Sequence, residues 1–210
     1  MSTLHKEILT PEQVELLPAL KRFSGDFGLV GGTAIALHIG HRESIDFDLF
    51  PRVPGAAFNP AKLRRKFARA ALISEVFVEE EPEMTLMTTT GVKVTFFDFE
   101  YAIPYTVPLE RWIMIPDLLT LAAMKVFALG FRSKWKDYVD LFFIIRDSYS
   151  LVEIKKRANE LFARHFNENL LRQQLSFFDD VSYKESIIFK HGFEVSDEEI
   201  KKKLVEYSLQ

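Results

Sequence analysis

The chain has 210 residues, 48% of them hydrophobic and 27% charged, with a formal net charge of −3. This is ordinary globular composition, and the slightly acidic balance gives no overall field that would draw the protein onto nucleic acid. The sequence contains no cysteine, which excludes disulfides, thiolate-ligated zinc, iron–sulfur clusters and cysteine nucleophiles.

The sequence shows neither a targeting signal nor a membrane span. Its opening segment, MSTLHKEILT, lacks a charged stretch followed by an apolar one, so we expect no signal peptide. The longest apolar run, around Leu118–Phe131, is interrupted by Lys125 and is shorter than the roughly 20 residues that cross a bilayer. We therefore expect a cytoplasmic protein that does not contact a membrane.

Local signals predict a mixed α/β first half. Thr10 followed by Pro11 and Gln13 is a typical helix start, and Asn59-Pro60 is another. The predicted elements are, in chain order, a helix from Pro11 to about Phe23, a strand over Asp26–Val30, a helix over Thr33–Ile39, a strand over Ser44–Phe50, a helix from Pro60 to Ala70, and strands over Glu75–Glu80, Met84–Thr90 and Val92–Phe99.

The second half predicts helices alone. A strongly apolar helix begins at Pro116-Asp117, and the composition changes at residues 105–116 just before it. The predicted helices cover Asp117–Phe131, Asp137–Arg146, Leu151–His165, Asn169–Phe178 and Asp197–Tyr207. We therefore predict two domains, a mixed α/β domain over residues 1–108 and a helical domain over residues 109–210.

Two carboxylates occur with the spacing of one strand face. Asp46 and Asp48 alternate with apolar residues, and side chains two apart on a strand point the same way. Carboxylates this close repel each other unless a cation lies between them. Mg²⁺ is suitable because it is commonly held by one or two carboxylates together with substrate phosphates. The alternative is that the pair is simply a solvated strand face.

A diglycine precedes the Asp pair. Gly31-Gly32 lies between a predicted strand and a predicted helix, where glycine lets the backbone approach a ligand closely. The free N–H groups of a helix starting near Thr33 favour phosphate, and Thr33 adds a hydroxyl donor. Such a turn beside a metal-binding Asp pair suits a nucleotide–Mg²⁺ site, although a diglycine alone is typical of any tight turn.

The spacing of these residues, GG-x13-DxD, resembles the signature of the DNA polymerase β-like nucleotidyltransferase superfamily. The longer string GGTAIALHIGHRESIDFDLF resembles one branch, the AbiEii/AbiGii-type nucleotidyltransferase toxins. The resemblance implies a polymerase β-like α/β domain with a mixed sheet, followed by a helical bundle. It also implies that Gly31 and Gly32, and more loosely Thr33, hold the triphosphate of an NTP substrate, while Asp46 and Asp48 bind Mg²⁺ as catalytic residues.

Two further residues of this string match the branch. Arg42 and Ser44 are usual there, so the resemblance adds both to the candidate nucleotide-binding residues. For Arg42 it implies either a contact to phosphate or a role in ordering the loop. The alternative for Arg42 is a solvated position on a surface loop.

A third carboxylate, which superfamily members usually carry on a neighbouring strand, is missing from its expected place. The matching strand is Val92–Phe99, and the expected position by parity is Thr95. Asp98 lies three residues further on and has the wrong parity unless a bulge intervenes. Three alternatives stay open: Asp98 substitutes as the third metal position, two carboxylates suffice with Thr95 in that place, or catalysis is impaired.

A second motif of the branch lies in the predicted helices. Lys125 lies near an apolar helix face and must reach water or find an anion. The branch carries a Lys here, followed by R-x-x-x-K-D-x-x-D-L, present as Arg132–Leu141. The resemblance implies that Lys125 is catalytic at the nucleotide phosphates and that Asp137 belongs to the nucleotide site. The structural alternative is that Lys136 and Asp137 cap a helix and Asp140 pairs with a nearby Lys or Arg.

Together these residues predict a Mg²⁺-dependent enzyme that moves a nucleoside monophosphate from an NTP to an acceptor. The resemblance implies RNA such as tRNA, or a protein, as acceptor, and a cognate antitoxin as partner. The basic segment Lys62–Lys66 offers a place for an RNA acceptor. One alternative is a nucleotide- or partner-binding protein with impaired catalysis, favoured by Thr95. Another is a small-molecule transferase of the antibiotic-adenylating type, for which Glu79–Glu81 would form an acidic acceptor pocket.

Overall fold

A computed structural model describes residues 4–209 of the chain. Their contacts divide them into two compact units. The α/β unit comprises Lys6–Ala34 and Ser44–Asp117, and the helical unit comprises Ile35–Glu43, the described chain from Leu118 onward and the described residues before Lys6. The predicted division after residue 108 falls inside the α/β unit, because the residues on either side of it pair as a short hairpin.

The α/β unit is built on a mixed sheet, which confirms the predicted fold class. The strands of the unit are β1 (Phe27–Val30), β2 (Asp46–Pro51), β3 (Ile73–Glu80), β4 (Glu83–Thr88), β5 (Lys93–Phe97), β6 (Val107–Leu109) and β7 (Ile113–Ile115). Five of them form one sheet in the order β1-β2-β5-β4-β3. In this sheet β2 and β5 pair in parallel, whereas the pairs β1–β2, β5–β4 and β4–β3 are antiparallel.

The helices of this unit begin where their caps predict. α1 (Pro11–Lys21) starts with a capping box between Thr10 and Gln13, and α3 (Pro60–Ala68) starts at Asn59, whose Oδ1 accepts from the backbone N–H of Lys62 at 2.8 Å. The bonds accepted by Thr10 and Asn59 satisfy backbone donors that the first helical turn leaves unpaired. The helix starts are therefore written locally in the sequence.

An aromatic cluster buries one face of the sheet. The ring of Phe96 on β5 lies 4.9 Å from Phe23, 5.1 Å from Phe27 and 6.4 Å from Phe67, measured between centroids. Each buried ring removes roughly 150–250 Å² from water, so this cluster dominates the core. Because side chains alternate along a strand, burying Phe96 turns its neighbours on β5 toward the opposite, more polar face.

The helical unit contains the remaining long elements. They are α4 (Leu118–Leu129), α5 (Trp135–Asp147), α6 (Leu151–Phe162), α7 (Glu168–Ser176) and α8 (Asp197–Ser208). The rings of Phe127 on α4 and Phe162 on α6 stack with centroids 4.0 Å apart. A further helix, α2 (Gly31–Ile39), begins in the α/β unit and ends in the helical unit. Within residues 4–209, no helix combines the length and the hydropathy needed to cross a membrane.

The β6–β7 hairpin is the main element that the sequence patterns do not predict. Its strands have three residues each, which is too short to show alternation. Pro108 on β6 also lacks the backbone donor that a strand normally offers. The hairpin forms nonetheless, with Val107 opposite Ile115 and Leu109 opposite Ile113.

Candidate active site

The Asp pair lies on the polar face of the sheet, as its alternation predicts. Along β2 the half-buried Asp46 and Asp48 alternate with fully buried apolar residues. β5 runs parallel to β2, with Lys93 opposite Asp46 and Thr95 opposite Asp48. All four side chains are half-buried. Asp46, Asp48, Lys93 and Thr95 therefore form one patch across two neighbouring strands, which we call the β2–β5 patch.

The patch contains its own cation. Nζ of Lys93 lies 2.9 Å from Oδ2 of Asp46, with the two side chains 34% and 19% exposed. An ammonium here offsets part of the repulsion between the two carboxylates. The sequence motifs do not identify Lys93 as a site residue. Its position two residues before Thr95 nevertheless indicates that both lie on the same face of the strand.

The strand register decides which residue lies in the third-carboxylate position. The β2–β5 pairing is continuous from Asp46–Lys93 to Leu49–Phe96, with no shift that would indicate a bulge. Thr95 is therefore opposite Asp48, and its hydroxyl accepts a hydrogen bond from Thr85 at 3.1 Å. Asp98 lies beyond the end of β5, and its backbone N–H donates to the carbonyl of Pro82 at 2.8 Å.

The diglycine lies directly against the Asp pair. α2 begins at Gly31, two residues earlier than predicted, because Gly31 adopts φ +72° and so continues from β1 without a separate loop. Few side chains tolerate this left-handed backbone. A Cβ built on Gly31 would lie 2.2 Å from Oδ2 of Asp48. Two independent constraints, backbone conformation and space, therefore require glycine here, and the first turn of α2 starts beside a carboxylate of the patch.

Thr33 and Ser44 are engaged inside the protein. Thr33 is buried, and its hydroxyl donates to the backbone carbonyl of Asp46 and lies 3.0 Å from Oγ of Ser44. Gln13 from α1 donates its amide N–H to the carbonyl of Ser44 at 2.9 Å. These bonds fix the first turn of α2 against the start of β2. They favour a positioning role for Thr33 and Ser44 over the direct nucleotide contact implied by the resemblance.

The patch fits a Mg²⁺ ion that arrives with a nucleotide. It offers two carboxylates, the hard oxygen ligands this ion prefers, and Mg²⁺ is commonly completed by substrate phosphates and water. Across residues 4–209, His, Asp and Glu side chains nowhere converge in the groups of three or more that a self-sufficient metal cage would need. The two carboxylates would supply part of a coordination shell at the patch, and the first turn of α2 offers N–H groups beside it.

The helical unit holds the second group of expected site residues in a buried ion network. Nζ of Lys125 on α4 lies 2.7 Å from Asp137 and 3.1 Å from Asp140, both on α5. Arg42 binds Asp140 through two bonds, Nε to Oδ1 at 2.6 Å and Nη2 to Oδ2 at 2.9 Å. Arg132 donates to Asp137 at 3.0 Å. The structure thus shows the pairing of Asp140 that the structural alternative predicts, whereas Asp137 is a buried network member and not a helix cap.

Opposite charges keep this network ionised. Burial opposes ionisation of Asp140, but Arg42 and Lys125 outweigh it and hold the pKa of that carboxyl well below its ordinary value. The pKa of Asp137 is lowered against the same burial effect by Lys125 and Arg132. These bidentate and charge-assisted bonds tie α5 to α4 and to Arg42.

The network bears on the roles that the resemblance implies. The guanidinium of Arg42 binds Asp140 and the backbone carbonyl of Glu43, which favours its loop-ordering role over a phosphate contact. The Lys125 ammonium has three donors, and its contacts to Asp137 and Asp140 account for two of them. The expected roles of Lys125 and Asp137 at the nucleotide phosphates stay predictions.

His41 adds a titratable group to the network. Its Nε2 lies 2.8 Å from Oδ1 of Asp140, and its buried Nδ1 has no hydrogen-bond partner among the described residues. With Asp140 ionised, the neutral ring donates from Nε2, and a second proton would have to enter at Nδ1 without an acceptor. Burial accordingly lowers the pKa of His41, although Asp140 opposes the shift.

We expect His41 to make the protein less stable in mild acid. The unfolded chain takes up a proton near the ordinary pKa of 6.5 and the folded chain does so at lower pH, so the free energy of unfolding falls as pH drops below about 6.5. The slope from one such group is at most about 1.4 kcal/mol per pH unit. We measure the free energy of unfolding by urea titration at several pH values between 7.5 and 5. This free energy should fall less steeply with decreasing pH in His41→Gln than in wild type. The same pH dependence of the unfolding free energy in His41→Gln and in the exposed control His191→Gln would rule out this role.

Comparison with known proteins agrees with these features. The family model described as "Nucleotidyl transferase AbiEii toxin, Type IV TA system" matches residues 16–202. An uncharacterized protein from Aquifex aeolicus strain VF5 is 27% identical over 185 residues, which cover 87% of this chain and 88% of that protein. The matched region includes both the β2–β5 patch and the buried ion network.

Solved structures share the fold. MenT4, a nucleotidyltransferase toxin from Mycobacterium tuberculosis H37Rv, superposes with a TM-score of 0.61 at 12% identity, covering 94% of this chain and 80% of MenT4. JHP933 from Helicobacter pylori superposes with a TM-score of 0.53 at 14% identity, covering 96% of this chain and 92% of JHP933. At these identities the likeness establishes the architecture, and the chemistry has to be argued from the site.

Proposed function

We propose that this chain, which belongs to the family of AbiEii nucleotidyltransferase toxins of type IV toxin–antitoxin systems, transfers a nucleoside monophosphate from an NTP to an acceptor. The observation that carries the proposal is the contact between a glycine-only bend and the Asp pair. Gly31 has φ +72° and leaves no room for a Cβ beside Asp48. A glycine bend packed against a carboxylate at a helix start is suited to a polyphosphate that brings its own metal.

Each residue of the site has a distinct task in this reaction. Asp46 and Asp48 would hold Mg²⁺, while the backbone N–H groups of Gly31 and Gly32 would bind the triphosphate. The ion, when bound, stabilises the charge that develops on the phosphoryl oxygens. Thr33 keeps the first turn of α2 fixed against β2 through its bond to Asp46. Such fixed geometry matters because positioning supplies much of the rate enhancement in transfers of this kind.

The proposed chemical step is a nucleophilic substitution at the α-phosphorus of the NTP. The acceptor oxygen forms a bond to that phosphorus while the bond to the oxygen bridging the α- and β-phosphates breaks. Pyrophosphate leaves, and the acceptor proton passes to solvent. The protein's part is to hold the triphosphate in line with the incoming oxygen, and we assign this part to the two carboxylates and the α2 turn.

The family description, a toxin of a type IV toxin–antitoxin system, supports an antitoxin as partner, and the acceptor is our own proposal. We propose RNA, with tRNA first, or a protein as acceptor, and a cognate antitoxin as the partner that counters the toxin. The basic segment Lys62–Lys66 of α3 is the proposed RNA contact. Two of its residues already have acidic partners, since Arg64 pairs with Glu79 at 2.9 Å and Lys66 with Asp26 at 3.1 Å. Its contribution should therefore be a salt-sensitive one, not a specific docking site.

One rival function has a specific observation in its favour. Thr95 lies where related enzymes usually have a carboxylate, so a protein that binds nucleotide without turnover remains the second candidate. The small-molecule transferase loses its support, because Glu79 on β3 pairs with Arg64 on α3, and β5 and β4 separate β3 from β2. No acidic wall formed by Glu79–Glu81 adjoins the β2–β5 patch.

Transfer of labelled nucleotide tests the proposal. The protein is incubated with each α-labelled NTP, Mg²⁺ and either total tRNA or a protein extract. We expect label transfer by wild type and by Glu15→Gln, an exposed control in the same unit. Asp48→Asn should lose more than the roughly 10–100-fold that removal of an outer-shell partner costs, because it removes a proposed metal ligand itself. Absence of transfer from every NTP, or undiminished transfer by Asp48→Asn, would contradict the proposal.

A further inference from the structure

Lys93 is a charged residue of the β2–β5 patch to which the proposed function gives no task. It lies directly opposite Asp46 in the parallel register, and its Nζ is 2.9 Å from Oδ2 of that residue. About a third of the Lys93 side chain is exposed. A long, flexible ammonium is therefore placed at the mouth of the site, on the strand that would carry the third carboxylate.

We propose that Lys93 is a nucleotide-binding residue that holds Asp46 until the metal–nucleotide complex arrives and then donates to a phosphate oxygen. This inference rests on the proposed function, because it assumes that the Asp pair receives a metal-bound triphosphate. It adds Lys93 to the residues that bind the nucleotide, and it states the order in which Lys93 contacts Asp46 and the phosphate. The lysine acts first as the counter-ion of the carboxylate and then as a partner of the substrate.

The charges of the patch explain this order. Two carboxylates and one ammonium sum to −1, so a bare divalent cation meets a weaker field than it would between two unopposed carboxylates. Once the cation is bound, the same patch carries +1, which favours a polyanionic triphosphate. With a neutral residue at position 93 these sums would be −2 and 0, which strengthens the attraction for a bare cation and weakens the attraction for a triphosphate. Lys93 thus disfavours metal alone and favours metal together with nucleotide.

The strand geometry makes the exchange feasible. β2 and β5 are neighbours in the sheet, with strands roughly 4.8 Å apart, so a phosphate oxygen near the Asp pair lies within the reach of the lysine side chain. The ammonium need only rotate about its own stem to leave Asp46. Lys93 and Thr95 on β5 lie on the same face of the sheet as Asp46 and Asp48 on β2.

A merely structural ion pair makes different predictions. Half-exposed pairs of this kind add little to stability, and a purely structural Lys93 would leave ligand affinities unchanged. A ligand role changes two affinities in opposite directions. That opposite change separates the two explanations without any measurement of catalytic activity.

Calorimetry of the full chain tests the proposal with two probes, MgCl₂ alone and a non-hydrolysable ATP or GTP analogue in saturating Mg²⁺. For Lys93→Met, which keeps the length and removes the charge, we expect about 5- to 10-fold tighter Mg²⁺ binding and about 5- to 10-fold weaker analogue binding. Lys93→Arg should resemble wild type. Lys6→Met, which removes another ion-paired lysine of the same unit, is the matched control, and Lys93→Gln replaces Lys93→Met if the latter does not fold.

The outcomes are distinguishable. Opposite changes for the Lys93 variants, absent from Lys6→Met, support the proposal. If Asp46→Asn/Asp48→Asn abolishes analogue binding while Lys93→Met and Lys93→Gln behave like Lys6→Met, or shift both affinities in one direction, the inference about Lys93 is wrong and the proposed function stands. If wild type binds no analogue, or the double Asp variant binds it normally, the proposed function fails, and this inference fails with it.

Discussion

Gly31→Ala is expected to weaken nucleotide binding at the Asp pair by more than about 100-fold while the chain still folds. The added Cβ would lie 2.2 Å from Oδ2 of Asp48, so the carboxylate has to move from its position on β2. Loss of a group that merely orients a metal ligand typically costs roughly 10–100-fold in metal affinity or activity, and here the proposed ligand itself is displaced. The left-handed φ of +72° adds roughly 1–2 kcal/mol of backbone strain for alanine. Calorimetry with a non-hydrolysable NTP analogue in Mg²⁺ measures the affinity.

Gly55→Ala separates the two effects of that substitution. Gly55 has nearly the same backbone conformation, φ +70°, but a Cβ there meets nothing within 4 Å. Both variants should lose roughly 1–2 kcal/mol of unfolding free energy to backbone strain, with a further loss in Gly31→Ala from the contact with Asp48, and only Gly31→Ala should lose the ligand. If Gly31→Ala binds the analogue as well as Gly55→Ala does, the contact between the bend and Asp48 has no part in binding.

Asp140→Asn is expected to lower the free energy of unfolding by about 3–5 kcal/mol at pH 7. The side chain keeps its size but loses the charge that pairs with Arg42 and Lys125, whose residues are only 4% and 5% exposed. Arg42 would retain a guanidinium buried against a neutral amide, and breaking one partner of a buried pair is costly for this reason. Such a loss is a large part of the 5–15 kcal/mol that typically stabilises a domain.

The matched control for this variant is Asp147→Asn. Asp147 pairs with Arg146 at 2.7 Å near the end of α5, and both side chains are more than a third exposed. Exposed pairs contribute at most about 1 kcal/mol. Urea denaturation should therefore separate the two variants clearly. Equal losses in Asp140→Asn and Asp147→Asn would show that the buried network does not stabilise the helical unit.

Features encoded by neighbouring residues were predictable from the sequence. The alternation around Asp46 and Asp48 predicted which β2 side chains are buried, and the caps at Thr10 and Asn59 predicted the starts of α1 and α3. Both signals depend on residues within one turn or one strand. The family was also predictable, because its motifs lie in two short stretches that the chain retains nearly complete.

Features that depend on distant parts of the chain were not predictable in the same way. The bond from Arg42 to Asp140 joins residues 98 positions apart, and the periodicity of the sequence does not predict which distant residues pair. The pairing of Lys93 with Asp46 requires the β2–β5 register, which the sequence alone does not fix. Thr33 looked like a phosphate ligand because its place in the motif is visible, whereas its bond to the carbonyl of Asp46 is not.

The parity of β5 shows both sides of this limit. Alternation along the strand correctly indicated Thr95 as the residue on the face of the Asp pair. Whether a bulge would bring Asp98 to that face could not be decided, since a bulge depends on how the neighbouring strand pairs. The continuous register resolves the position of both residues. It leaves two carboxylates and Lys93 as the charged groups of the patch.

Isothermal calorimetry of a non-hydrolysable NTP analogue tests most directly whether the α2 bend and the Asp pair together hold a metal-bound triphosphate. Wild type should bind the analogue in Mg²⁺ and bind it far more weakly when EDTA removes the metal. Asp46→Asn/Asp48→Asn should show no such metal-dependent binding while melting at a temperature close to that of wild type. Equal binding with and without Mg²⁺, or binding that survives loss of both carboxylates, would contradict the assignment of this site.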